Sequence, residues 1–215
     1  MRDLMIWTCL MGMSGLALVA SPGEAEKHLQ DAVAAEDRLE EDRARDALRK
    51  PAEVLSFFGV QPGMNVVELM SGSGYYIDII GRAVGPNGRA YAQNNDFVLK
   101  RFAEKNIANR LKNPNLANVS RIDRELDDLG LPSGLDAVLI ILFYHDTYWQ
   151  NVDREKMNRA VFEALKPGGI YGVVDHYAED GSGSRDVKTI HRMDIALVKK
   201  ELTDAGFELV AEQRR

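Results

Sequence analysis

From Asn65 onward, short apolar runs alternate with stretches where apolar residues recur every three or four positions. Val66-Val67-Glu68-Leu69 is an apolar run carrying one carboxylate, and it breaks into a turn with Gly72 and Gly74. Beyond the turn, Ile77, Ile80 and Val84 share one helical face. The pattern predicts strands over 65–69, 89–93, 118–123, 135–143, 170–175 and 207–212. Between them it predicts helices over 74–84, 96–111, 151–165 and 187–205, with Gly85-Pro86-Asn87-Gly88 and Lys166-Pro167-Gly168-Gly169 as stops. An earlier helix opens at Pro51 and ends at Gly59. Such alternation implies a doubly wound α/β sheet of six mostly parallel strands, with ligands held beyond the strands' carboxyl ends.

Upstream the pattern changes twice. Leu4–Ala20 is nearly uninterrupted apolar sequence behind Arg2, and Ala20, Gly23 and Ala25 offer small residues for cleavage. Residues 1–25 therefore read as a secretory signal peptide or a short membrane anchor, which implies an exported, periplasmic or membrane-anchored protein, with a cytoplasmic one as the alternative. Residues 26–50 mix both charge signs around a thin stripe of Leu29, Val33, Leu39 and Leu48, predicting a solvated helical extension packed loosely on a domain spanning 51–215.

Composition narrows the function classes. In 215 residues, 45% are hydrophobic and 28% charged, enough for a folded core. The net charge is −6 with no dense Lys/Arg block, which argues against a nucleic-acid-tracking surface. The single cysteine, Cys9, excludes a disulfide framework within the chain.

Four pieces taken together resemble the class I S-adenosylmethionine-dependent methyltransferases: Gln61-Pro62-Gly63-Met64 leading into V-V-E-L, the S-G-S-G turn, G-P-N-G-R-A-Y, and L-K-P-G-G. The wider pattern, with Y-H-D, V-V-D-H and H-R-M-D, is similar to uncharacterised exported bacterial methyltransferases. The resemblance implies S-adenosylmethionine as cofactor and a small-molecule methyl acceptor. Ser71, Gly72 and Gly74 would floor the methionine end, Glu68 would help hold its ammonium, Asn94 would meet the ribose, and Glu125 the adenine. Two positions depart from the pattern. Met70 stands where the family has a glycine, and Asn94 where it often has an acid.

Methyl transfer needs an acceptor in line with the sulfonium and a group to take its proton. His145, Asp175 and His176 are the candidates, since the fold delivers them after the fourth and fifth strands. His191 and Arg192, on the next helix, could close over the same mouth, and Phe143, Tyr148 and Trp149 could wall an acceptor pocket. Asp136 lies at the opposite end of its strand and reads as structural. Asp146 with Asp175-His176 partly resembles the magnesium-holding set of catechol-type O-methyltransferases, but imidazole suits magnesium poorly, and no metal is assigned.

Two alternatives remain. A nicotinamide-binding fold would want a third glycine where Ile77 stands. A non-catalytic binding module would tolerate Met70 and Asn94. The family's sheet also finishes with an antiparallel seventh strand between the fifth and sixth. The chain stops at Arg215, so the expectation is a C-terminally truncated sheet with that seventh strand missing and the fifth strand's edge unpaired.

Overall fold

The computed structural model describes residues 4–10 and 22–214. The chain forms two compact units, one of Ser14–Arg121, the other of Met1–Met13 with Ile122–Arg215.

In the first unit, α1 (Pro22–Val33), α2 (Glu40–Arg49) and α3 (Pro51–Phe57) precede β2 (Asn65–Leu69), α4 (Tyr75–Val84) and β3 (Arg89–Asn94). β1 (Leu4–Leu10) belongs to the second unit. β2 and β3 run parallel, with Val66 opposite Ala90 and Glu68 opposite Ala92. Val66, Val67, Ile77, Ile79 and Ile80 are fully buried, each worth about 1.5–3 kcal/mol on folding. The predicted helix over 96–111 is present in pieces: α5 (Asp96–Val98), a π turn at Leu99–Ala103, and α6 (Glu104–Arg110). The strand order is β4-β3-β2, with β4 at Val119–Asp123.

The charged stretch is not loosely packed, contrary to expectation. It folds as two helices, and Arg38, Asp42 and Leu29 are buried. Arg110 donates to Asp42 at 2.6 Å and to Asp78 at 2.7 Å, while Arg38 donates to Asp46 at 2.7 Å. A charge run reads as a solvated face because its partners, Asp78 and Arg110, lie far along the chain.

In the second unit, β5 (Leu135–Ile141) and β6 (Leu165–His176) are parallel, with Val138 opposite Tyr171 and Ile141 opposite Val174. Residues 137–140 of β5 are buried on both faces, as a central parallel strand should be. α7 (Asp146–Trp149), α8 (Arg154–Ala164) and α9 (Ile195–Asp204) complete the unit with β7 (Glu208–Arg214).

The edge expected to be open is paired. β1 (Leu4–Leu10) lies antiparallel between β6 and β7, with Ile6 opposite Val174 on one side and Gln213 on the other. The order is β5-β6-β1-β7. An N-terminal segment thus occupies the place expected for the family's antiparallel last strand. Part of the run read as a leader is thus strand, and the remainder, residues 11–21, lies outside the described residues. Among the described residues, no helix is long and apolar enough to cross a membrane.

Candidate functional site

Two groups of residues carry chemistry, one in each unit. In the first unit, β2 ends at Leu69 and the chain turns through Met70, Ser71, Gly72, Ser73 and Gly74 into α4. β3 holds this turn. Gln93 accepts from the Met70 amide at 3.0 Å through its side chain and from the Ser71 amide at 2.9 Å through its carbonyl. Asn94 Oδ1 accepts from the Gly72 amide at 2.8 Å, and its Nδ2 donates back to the Gly72 carbonyl at 3.2 Å. Asn94 therefore braces the turn with both ends of its amide. Met70 adopts φ 53°, the left-handed region where a glycine carries no Cβ penalty.

The two glycines differ. At Gly72 (φ +56) a Cβ would meet nothing within 4 Å, so space stands open above it. At Gly74 (φ +93) a Cβ would lie 2.8 Å from both Arg110 Cδ and Ile107 Cδ1. Gly72 suits close approach of a ligand, whereas Gly74 makes room for α6. A cavity of about 680 Å³ is lined by Glu41, Asp42, Ser73, Asp78, Asn106 and Arg110, among others, but by neither Gly72 nor Glu68.

Glu68 is 4% exposed, and its Oε2 is buried with no hydrogen-bond partner. Burial lifts its pKa to about 7, opposed by the Ser71 hydroxyl and the Ile77 amide. An orphaned carboxylate oxygen is costly unless a cation or donor arrives. The ammonium of S-adenosylmethionine is such a group, and open space above Gly72 is what its sulfonium end requires. The residues present fit the cofactor.

In the second unit, the carboxyl ends of β5 and β6 bring His145 and Asp175 together. Asp175 is fully buried. Its Oδ1 accepts from His145 Nδ1 at 2.6 Å and from the His176 amide at 2.7 Å, and its Oδ2 accepts from the His145 amide at 2.8 Å. His145 Nε2 then faces Asp146 Oδ1 at 3.1 Å and His191 Nδ1 at 3.3 Å. Burial opposes the charged imidazole, but hydrogen bonds to Asp146 and Asp175 outweigh it and lift its pKa to about 9. His176 is half-buried, its ring centroid 6.4 Å from that of His145. Glu125, exposed in the turn after β4, belongs to this unit and not to that of Asn94.

His191 is not on a helix. The helix expected from residue 187 starts at Ile195, because Asp194 caps it through the Ala196 amide at 2.9 Å. The other Asp194 oxygen accepts from the Gly181 and Gly183 amides at 2.8 and 3.2 Å, tying down the preceding loop. Arg192 donates to the Tyr177 carbonyl at 2.7 Å. The aromatics have structural partners too. Tyr148 donates to Glu201 at 2.7 Å, its ring carries Arg154 at 3.6 Å, and Trp149 donates to Asp146 at 2.6 Å. Asp136 pairs with Lys166, as a structural residue would.

The sequence brought Asp146 and His191 near His145 but did not show them converging as one three-atom group. Y-H-D places two of them side by side and His191 was expected over the same mouth, though on a helix, and nothing in the spacing shows that the three donor atoms meet.

No family model matches the chain. Over 114 residues it is 33% identical to a ubiquinone/menaquinone biosynthesis C-methyltransferase, UbiE, of Pasteurella multocida (strain Pm70). The match covers 52% of this chain and 39% of that relative's length. Among solved structures, the fold is similar to an S-adenosylmethionine-dependent methyltransferase from Aquifex aeolicus, with TM-score 0.62, 22% identity, and 76% and 82% of the two chains covered. An arsenic(III) S-adenosylmethionine methyltransferase from Chlamydomonas reinhardtii gives 0.53 at 16% identity, over 68% and 52%. Aeropyrum pernix fibrillarin with natively bound S-adenosyl-L-methionine gives 0.50 at 18% identity, over 71% and 60%. The chain has the fold of the class I S-adenosylmethionine-dependent methyltransferases.

Proposed function

We propose that the protein binds S-adenosylmethionine over Ser71–Gly74 and transfers its methyl group to a small-molecule acceptor. The observation that carries this reading is the pairing of an orphaned, buried Glu68 oxygen with open space above Gly72 in one turn. Ser71 and Gly72 shape the floor, Glu68 receives the ammonium, and Asn94 holds the floor rigid. Within the second unit, His145 backed by buried Asp175, with His176 beside it, is a pair able to take up or give a proton. A neutral imidazole accepts the proton, and a charged one hydrogen-bonds a developing oxyanion. The similarity to UbiE and the negative net charge favour a small organic acceptor over a nucleic acid. Export of the newly made chain, with Leu4–Ala20 as leader, is a further part of the reading, and it competes with β1 for the same residues.

The test is isothermal titration with S-adenosylmethionine. Micromolar binding that Glu68→Gln weakens at least tenfold supports the reading, and no heat at millimolar cofactor removes it. A second reading, a binding module without methyl transfer, is favoured by one observation: Asn94 has no charge to offer a ribose, and each polar atom of its amide already bonds Gly72. Tight cofactor binding with no turnover across candidate acceptors would select it.

A further inference from the structure

We propose that His145, Asp146 and His191 form a binding site for a divalent transition-metal ion. The three donor atoms are His145 Nε2, Asp146 Oδ1 and His191 Nδ1. Their separations are 3.1 Å between His145 and Asp146, 3.3 Å between the two imidazoles, and 3.4 Å between His191 and Asp146. Ligands about 2.0–2.1 Å from a tetrahedral zinc stand about 3.3 Å apart, the edge of that tetrahedron. The three atoms therefore already stand as three corners of such a polyhedron.

The surroundings orient the donors. His145 donates its Nδ1–H to buried Asp175 at 2.6 Å, which fixes the ring with Nε2 directed at the other two donors, where an arriving metal ion would displace the Nε2 proton. Trp149 Nε1 donates to the same Asp146 oxygen at 2.6 Å and holds that carboxylate in place. His191 sits at φ 53°, an uncommon conformation for a residue with a side chain. It is kept there by its neighbours, since the Met193 amide donates to the His176 carbonyl at 3.0 Å and Arg192 clamps the Tyr177 carbonyl. His145 is buried and His191 exposed, so an ion can enter from the His191 side.

The donor set selects the metal class. Two imidazoles and one carboxylate suit zinc, iron, cobalt or nickel rather than magnesium, which wants oxygen. Three protein ligands leave at least one position for water or an acceptor oxygen, the arrangement of a reactive rather than a structural site. A metal here would bind and polarise an oxygen-bearing acceptor, and that role rests on the methyl-transfer reading. The binding itself does not.

Tag-free, chelator-stripped full-length protein is titrated with Co²⁺, Zn²⁺ and Mg²⁺, and cofactor binding is measured separately, so either reading can fail alone. The expected result is one equivalent of Co²⁺ with visible d–d absorption of a tetrahedral or five-coordinate ion, displaced by Zn²⁺ and not by Mg²⁺. His191→Ala, at an exposed position, should weaken the metal at least tenfold with the melting curve retained. Asp175→Asn should weaken it about 10–100-fold. Absence of a Co²⁺ band in the wild-type protein, or a band that a folded His191→Ala protein retains at full affinity, overturns the proposal.

Discussion

Arg110 occupies the space that a side chain on Gly74 would need: a Cβ there would lie 2.8 Å from Arg110 Cδ. The same arginine donates from Nε to the Ser73 carbonyl at 2.8 Å. One residue of α6 thus fixes the far side of the glycine turn. Gly74→Ala should therefore cost about 2–4 kcal/mol, from the clash added to a left-handed backbone. Gly72→Ala, with open space and φ +56, should cost only about 1–2 kcal/mol. Its larger effect should fall on cofactor affinity. Denaturant melts and titrations of the two variants measure both, and equal losses of stability would contradict the division of roles.

Arg110 also closes a buried network, with Asp42 and Asp78 each at most 3% exposed at the side chain. Removing one partner strands the others' charges. Arg110→Met should destabilise by about 3–5 kcal/mol, and adding Asp42→Asn and Asp78→Asn should restore part of that. Urea denaturation of the single and triple variants checks it. A neutral single substitution would show that the helices of residues 22–49 are held by other means.

Glu68 predicts a pH dependence. Its carboxyl is lifted by burial from 4.5 to about 7, so the folded state holds a proton that the unfolded state has released. Stability should fall as pH rises from about 4.5 to about 7 and level off above, a loss of about 3 kcal/mol from this group. Glu68→Gln should remove that slope. Thermal melts of both proteins without cofactor, across pH 5 to 8, decide it. An unchanged slope in the variant would place the titration elsewhere.

What the sequence made legible follows from the range of each interaction. β2 was readable to the residue because Asn65–Leu69 is bounded by turn signals, and its apolar run needs no distant partner to declare itself. That His145, Asp175 and His176 lie together was legible because strand ends are where this fold delivers side chains. The Asp42–Arg110 pair was hidden, since 68 positions separate its members and each reads as surface charge. His191 was misplaced on a helix because the capping role of Asp194 depends on the loop that it also ties down. β1 was unreadable for a different reason. An apolar run of that kind serves equally as leader or as strand, and its partners β6 and β7 lie at the other end of the chain.

The N-terminal strand gives a direct comparison of those two uses. If Leu4–Leu10 completes the sheet, protein beginning at Pro22 should melt several degrees lower and aggregate more readily, because β6 and β7 lose their shared partner. Intact-mass analysis of the purified protein shows whether the segment is retained. Equal melting with and without it would assign Leu4–Ala20 to targeting.

A crystal structure with S-adenosylhomocysteine decides whether the glycine turn holds the cofactor. The expected complex has the ligand's amino group within hydrogen-bond reach of Glu68 Oε2 and its backbone-facing side packed over Gly72. Ligand bound elsewhere, or Glu68 Oε2 still buried without a partner beside a filled site, would contradict it.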